Sequence, residues 1–301
     1  MLKVAWAESY CHPLPEGHRF PMEKYILLPQ QLLYEGTLNN ENLFTPELPL
    51  DDELFSLVHS QEYINKLNQL TLSRSEERRT GFPLSESLIH REKQIIRGSV
   101  DATLFALKFG CAMNIAGGTH HAFSNKGEGF CLLNDIAVSA QYLVEYFGFK
   151  SILIVDLDVH QGNGTAEIFT SSKEVFTFSM HGKNNYPLHK EKSDLDIELE
   201  DGTGDKEYLA LLDANLKSLV DRLNPEFIFF QSGVDVLKTD KLGRLGMSIS
   251  GCKDRDRLVF EICKNNNIPV MVSMGGGYSE EIRFIIEAHA NTYRLAQEIF
   301  F

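Results

Sequence analysis

Five short apolar runs punctuate this 301-residue chain, at 111–115, 151–155, 174–178, 226–230 and 269–273, and none alternates strictly between apolar and polar residues. Runs of that length, rich in β-branched and aromatic residues, read as strands covered on both faces. Between and after them, 88–109, 135–147, 206–223, 254–264 and 280–299 repeat apolar residues at helical spacing. Gly110 and Gly148 stand just past two of these segments, where a helix end needs a left-handed residue. Strands alternating with helices predict parallel βαβ units and an α/β fold. No repeat, low-complexity tract or linker divides the chain, so one domain over 1–301 is expected. The polar stretch 71–81 reads as a surface loop.

Parallel sheets bind ligands beyond the carboxyl ends of their strands. GGTHH follows the first run, DLDVHQGNG the second, SMHG the third, QSGVD the fourth and SMGGGY the fifth. Nearly all the chemically able side chains fall in these five places. Asp156, Asp158 and His160 are spaced at i, i+2 and i+4, which directs them to one side of an extended chain. Asp158 and His160, with Asp235 from QSGVD, make a three-ligand metal set with room for water and substrate. Zinc fits that set, and Fe(II) or Co(II) would also be accepted. A two-metal ureohydrolase would want a further carboxylate two residues after the histidine, and Gly162 stands there. One catalytic metal is therefore expected.

His120 and His121 follow Gly117-Gly118 directly. Paired imidazoles beside a metal suit amide hydrolysis, which needs one proton taken from water and one given to the leaving amine. Asp156 is the expected partner of His120, and Asn163 that of His121. Tyr278, after three glycines, offers a phenol to an oxyanion opposite the metal. His12, His59, His90, His181, His189 and His289 are read as structural, and Cys131 as a packing residue.

The formal net charge of −13, without a basic block, argues against a nucleic-acid partner. The five cysteines form no C-x-x-C pair and no even framework. The N-terminus lacks the basic and apolar regions of a signal peptide, and no apolar run has the ~20 residues of a membrane helix. These features lead to the expectation of a cytoplasmic protein with reduced thiols.

Taken together, GGTHHAF, GEGFCLLND, DLDVHQGNGT, SGVDVLKTDKLGRLGMS and SMGGGY resemble the histone deacetylase superfamily, from YCHPLPEGHRFPMEKY almost to the C-terminus. HRFPMEKY, HQGNG and D-x-L-x-x-D-x-L-G are most similar to class IV members and their bacterial amidohydrolase relatives. The resemblance implies an arginase/deacetylase-like three-layer fold, with a central, mostly parallel sheet flanked by helices. It implies zinc on Asp158, His160 and Asp235, with His121 as base and then acid, and His120 giving electrostatic support. Gly129, Phe130 and Tyr186 would grip the acyl-lysine stem, with Gly276 and Gly277 beside the acyl end. Arg19 would lie along an internal channel that releases the acid. A structural potassium ion would take Asp156, Asp158, His160, Ser179 and Met180. Class I members carry Asp where Asn163 stands, so His121 should be less basic here.

The implied reaction is hydrolysis of N-ε-acyl-lysine in a protein or peptide. The class IV likeness suggests long fatty acyl chains, and Gly98 and Ser99 are small enough either to leave space for one or to let a helix pack closely. The other substrate class is an acylated small amine such as an acetylpolyamine. A non-catalytic acyl reader would be expected to lack a ligand, a histidine or the tyrosine, and all are present.

Overall fold

The computed structural model describes residues 1–48 and 52–301. Its strands are β1 (Lys3–Ala5), β2 (Leu43–Phe44), β3 (Cys111–Asn114), β4 (Ile152–Asp156), β5 (Val175–Gly182), β6 (Leu195–Leu199), β7 (Phe227–Gln231) and β8 (Val270–Ser273). The helices are α1 (Lys24–Tyr34), α2 (Asp52–Ser56), α3 (Gln61–Asn68), α4 (Arg74–Thr80), α5 (Glu86–Phe109), α6 (Asp135–Phe147), α7 (Asn163–Phe169), α8 (Asp205–Leu223), α9 (Ile249–Asn265) and α10 (Ile282–Phe300). The strands form one sheet in the order β2-β1-β3-β8-β7-β4-β5-β6. Every ladder pair in it is parallel.

Side-chain parity along the strands divides the core. Ile152 and Ile154 of β4, with Phe227 and Phe229 of β7, face α5, α6 and α7. Leu153, Val155, Ile228 and Phe230 join the core on the other side, with α8, α9 and α10. Helices on both faces explain why the strand runs lacked alternation. The five strands read from sequence are neighbours, β3-β8-β7-β4-β5. The strands not foreseen, β1, β2 and β6, lie outside them and are short or half exposed.

Register then builds the floor of the site. Asn114 pairs with Ser273, Ser273 with Gln231, Gln231 with Asp156, and Asp156 with Ser179. One row of buried polar residues thus crosses five strands, at the carboxyl ends of β3, β8, β7 and β4 and within β5. The row beneath it, Met113, Val272, Phe230, Val155 and Phe178, is entirely apolar and buried.

The stretch 71–81 is not a loop. Ser73 and Glu76 form a reciprocal capping box, Gly81 ends the helix in the left-handed region, and α4 lies between them. Its polar composition hid it, because only Thr80 of the helix is buried. Among the described residues no helix is long and apolar enough to cross a membrane.

Candidate active site and metal centre

β4 stops at Asp156, so Asp158 and His160 lie just past the ladder on a bend rather than within it. They still converge with Asp235, their ligand atoms all lying within 4.8 Å of one another. Backbone donors explain how. Gly276 N–H donates to Asp158 Oδ2 at 2.8 Å, and Val159 N–H to Asp235 Oδ1 at 2.9 Å. The other carboxylate oxygens, Asp158 Oδ1 and Asp235 Oδ2, stand 3.0 and 3.1 Å from His160 Nδ1. Gly276 is required for this approach, since a Cβ there would overlap both carboxylates.

All three residues are buried. Burial, followed by the charge of Asp158, pushes the Asp235 carboxyl up to about 7. His160 rises to about 10, because its bonds to Asp158 and Asp235 outweigh the opposing effect of burial. Two carboxylates and an imidazole crowded in a low-dielectric space hold surplus negative charge. A divalent cation replaces the protons that would otherwise neutralise it, so the donor set fits a metal of the zinc type.

The tandem histidines sit beside this cluster, their rings 4.1 Å apart. His120 Nδ1 donates to Asp156 Oδ2 at 2.6 Å. Burial lowers the affinity of His120 for a proton, but the Asp156 charge and bond outweigh it and the net shift is upward. His121 Nδ1 is 2.6 Å from Asn163 Oδ1. The Asn163 amide nitrogen donates to Glu128 Oε1 at 2.8 Å, so its oxygen must face the imidazole. Nδ1 of His121 therefore carries the hydrogen, and Nε2 is left as a proton acceptor. Burial and the charges of His120 and His160 hold His121 well below the usual histidine range.

A narrow passage leads to this point. Gly129, Phe130 and Tyr186 line its outer part, with His121, His160 and Tyr278 at the inner end. Gly129 adopts φ +57°, and a Cβ there would press on the His121 ring. Tyr186 donates its hydroxyl to Glu128 Oε1 at 2.7 Å. A chamber of about 40 Å³ takes in the metal cluster and the space behind it, walled by Asp158, His160, His120 and His121 and by Tyr25, Arg91, Ile95 and Gly276. Gly277 does not face it: the Cβ position points at Val234, Ile285 and His289. The unusual φ of +156° turns that residue away from the chamber.

One further expectation needs correction, and one open alternative is decided. Arg19 is exposed at the outer mouth, its guanidinium 4.9 Å from the Phe130 ring centroid, while Arg91 is the arginine of the inner chamber. The apolar Phe20 takes the inward position instead. Gly98 and Ser99 open no acyl space. A Cβ on Gly98 would collide with the Tyr10 hydroxyl, and Ser99 Oγ donates to Asp135 Oδ2 at 2.6 Å. Both serve the close packing of α5 on the sheet.

A profile for the Histone deacetylase domain matches residues 18–292. The chain belongs to the histone deacetylase family. An uncharacterised protein of Picosynechococcus sp. is 40% identical over 297 residues, covering 99% of each chain. Histone deacetylase 2 of Arabidopsis thaliana is 29% identical, over 89% of this chain and 72% of its own length. The crystal structure of a histone deacetylase homologue from Aquifex aeolicus superposes with a TM-score of 0.84 at 25% identity, over 97% of this chain and 82% of that one. Metal-dependent amide hydrolysis is consistent with the family, the fold and the Asp158, His160 and Asp235 cluster.

Several supports of this deacetylase-family site escaped the sequence reading. Buried Lys24 donates to Gly275 O at 3.1 Å, across 251 residues. Arg255 donates to both Leu157 O and Gly233 O, bracing the two segments that carry the metal-binding residues. Asp240 accepts from Tyr278 N–H at 2.6 Å and from Leu242 and Gly243 N–H, which gives the second aspartate of D-x-L-x-x-D-x-L-G its purpose. Only that repeated aspartate was a visible signal. Lys24 and Arg255 look like surface residues until the fold buries them.

His59 fastens the loop of the histidine pair. Its Nδ1–H donates to Phe123 O and its Nε2 accepts from Asn134 N–H, both at 2.9 Å. Burial holds its pKa down to about 4, against an ordinary 6.5. The folded chain thus binds fewer protons than the unfolded chain between these values. Stability contributed by neutral His59 is present above pH 6.5 and is lost as pH falls towards 4, up to about 3 kcal/mol. Denaturant titrations from pH 7 to 4 should show a shallower acid decline for His59→Gln than for wild type. Parallel declines would remove His59 from the account.

Proposed function

We propose that the chain is a zinc-dependent hydrolase of N-ε-acyl-lysine amide bonds that prefers short acyl groups, a single catalytic domain over 1–301 of the class IV-like kind. The observation that carries this reading is convergence: Asp158, His160 and Asp235 meet His121 and Tyr278 at the inner end of one narrow passage. Such a passage suits an extended alkyl stem with an amide at its tip.

Asp158, His160 and Asp235 would hold the zinc. When bound, zinc supplies Lewis acidity to the amide carbonyl and makes water a better acid. His121, through Nε2, takes the proton of the attacking water and returns it to the leaving amine. His120, paired with Asp156, supplies positive charge beside the reacting atoms. Tyr278 donates to the oxyanion. Gly129, Phe130 and Tyr186 enclose the lysine stem, and Gly276 borders the acyl group. A potassium ion remains part of the proposal. It would be shared by Asp156, Asp158, His160, Ser179 and Met180, of which the β4–β5 register pairs Asp156 with Ser179.

Short acyl groups are favoured by the chamber. About 40 Å³ holds a few waters or a short acyl chain. Forcing extra methylenes into filled space costs about 1–3 kcal/mol, or roughly 5- to 150-fold in rate. On zinc-loaded protein, acetyl- and butyryl-lysine peptides should exceed the myristoyl peptide in kcat/KM by at least roughly tenfold. A chelator should abolish all turnover. A myristoyl peptide cleaved fastest would reject the short-chain reading, and chelator-resistant turnover would reject the metal.

A further inference from the structure

The passage opens between guanidinium groups. Arg19 and Arg79 line its outer cavity of about 220 Å³, with Phe130, Tyr186 and Leu242. Arg19 is held over the Phe130 ring, which orients the cation at the rim. Arg79 belongs to α4, and α4 is sewn to the passage wall: Gly129 N–H donates to Arg79 O at 3.0 Å and Phe130 N–H to Thr80 O at 2.8 Å. A second hollow, of about 510 Å³, continues over Gly81 and Phe82 between Arg74 and Arg78. His18 links the two hollows. Its Nε2 is bonded to Gly81 O at 2.8 Å, and its ring stacks on Phe82 and meets Phe130 edge-on.

Among the described residues none of these four arginines has a carboxylate partner. Elsewhere on the surface Arg97, Arg244, Arg257, Arg283 and Arg294 each face one, while Arg222 lies over the Phe176 ring without one. The nearby acids are engaged. Glu76 caps its own helix, Glu77 accepts from Leu84 N–H, and Glu128 is occupied by Asn163 and Tyr186. Those acids keep their charge but turn it to other partners, so a chain of net charge −13 presents four guanidiniums without a carboxylate contact among the described residues around the mouth of its active site.

We infer that this rim selects acidic peptide: acyl-lysine with aspartate or glutamate within a few residues, laid from the mouth across α4. The inference rests on the hydrolase reading for its acyl-lysine. A polyamine would have to carry its ammonium groups past the same guanidiniums. A nucleic acid would bring its many phosphates to a chain whose net charge is −13. Each exposed charge pair contributes little, but several around one mouth add up, and they also speed encounter.

The test uses three acetyl-lysine peptides of equal length with glutamate, alanine or lysine flanks. kcat/KM is measured on the zinc-loaded full chain. Affinity for the same peptides is measured by fluorescence anisotropy on zinc-loaded Tyr278→Phe protein, so that preference is read without turnover. The acidic peptide should lead the neutral one roughly five- to tenfold in both measurements, with the basic peptide last. The lead should shrink towards unity in 0.5 M salt, roughly a Debye length below 5 Å. It should also shrink in the double variant Arg19→Gln/Arg79→Gln. Equal or undetectable affinities, a lead that survives the double variant, or displacement of the acidic peptide by single-stranded DNA at equal charge concentration would each overturn the assignment. Selective binding with no hydrolysis by wild type would instead refute the hydrolase reading and leave the rim's preference standing.

Discussion

Asp235→Ala should take bound zinc from about one equivalent per chain to near none, and amide hydrolysis should vanish with it. The residue supplies one of three donors whose atoms lie within 4.8 Å of one another. Its other oxygen accepts from Val159 N–H, between the remaining two ligands, so the substitution also loosens their segment. Two donors from Asp158 and His160 do not hold a cation against dialysis as three do. Two measurements separate metal loss from misfolding. Metal content is read by elemental analysis after dialysis, and Tm is read with and without added zinc. A bound ion stabilises the folded state by mass action, so wild-type Tm should rise on zinc addition while that of the variant stays flat. Asp235→Asn, which keeps the size and the acceptor for Val159, should fall between the two. One full equivalent of zinc retained by Asp235→Ala would mean that the ligand set has been misassigned.

Tyr278→Phe should lower kcat by roughly 10²–10³, the usual cost of removing one oxyanion donor, or about 2.7–4 kcal/mol. The ring is held independently of the hydroxyl. Phe20, Phe130 and His160 surround it at centroid distances of 5.9, 6.0 and 6.4 Å, and its backbone N–H is tied to Asp240. Phenylalanine preserves those contacts, so zinc content, Tm and KM should hardly change. Burial, reinforced by the charges of Asp158 and Asp235, raises the phenol well above its ordinary range, which keeps it a donor across the working pH. The loss should therefore appear in kcat at every pH. A zinc-replete Tyr278→Phe protein with undiminished kcat would take the tyrosine out of the reaction.

Much of this site was legible before any coordinates. The D-x-D-x-H spacing, the histidine doublet and the phenol after three glycines each announce a chemical capacity, and each sits where a strand run ends. Asp156 with His120 and Asn163 with His121 are paired as expected. The glycine pair Gly276-Gly277 was read as one unit, and the backbone splits it: one glycine admits two carboxylates, and the other turns towards α10. The arginine of the chamber was also misjudged. The resemblance pointed to Arg19, which is exposed at the mouth, while buried Arg91 lines the chamber.

The sequence alone determined the alternation of elements and the residues able to do chemistry, because strand period, helix period and turn residues act over a few positions. The tertiary structure decided which atoms of those residues are free. Asn163 shows its oxygen to His121 because Glu128 takes its nitrogen, and Asp158 and Asp235 offer one oxygen each because Gly276 and Val159 hold the other. The depth of the chamber and the arginines at the mouth were decided there as well. Such choices depend on burial and on partners far apart in the chain, as with Lys24 and Gly275, and no local pattern encodes them.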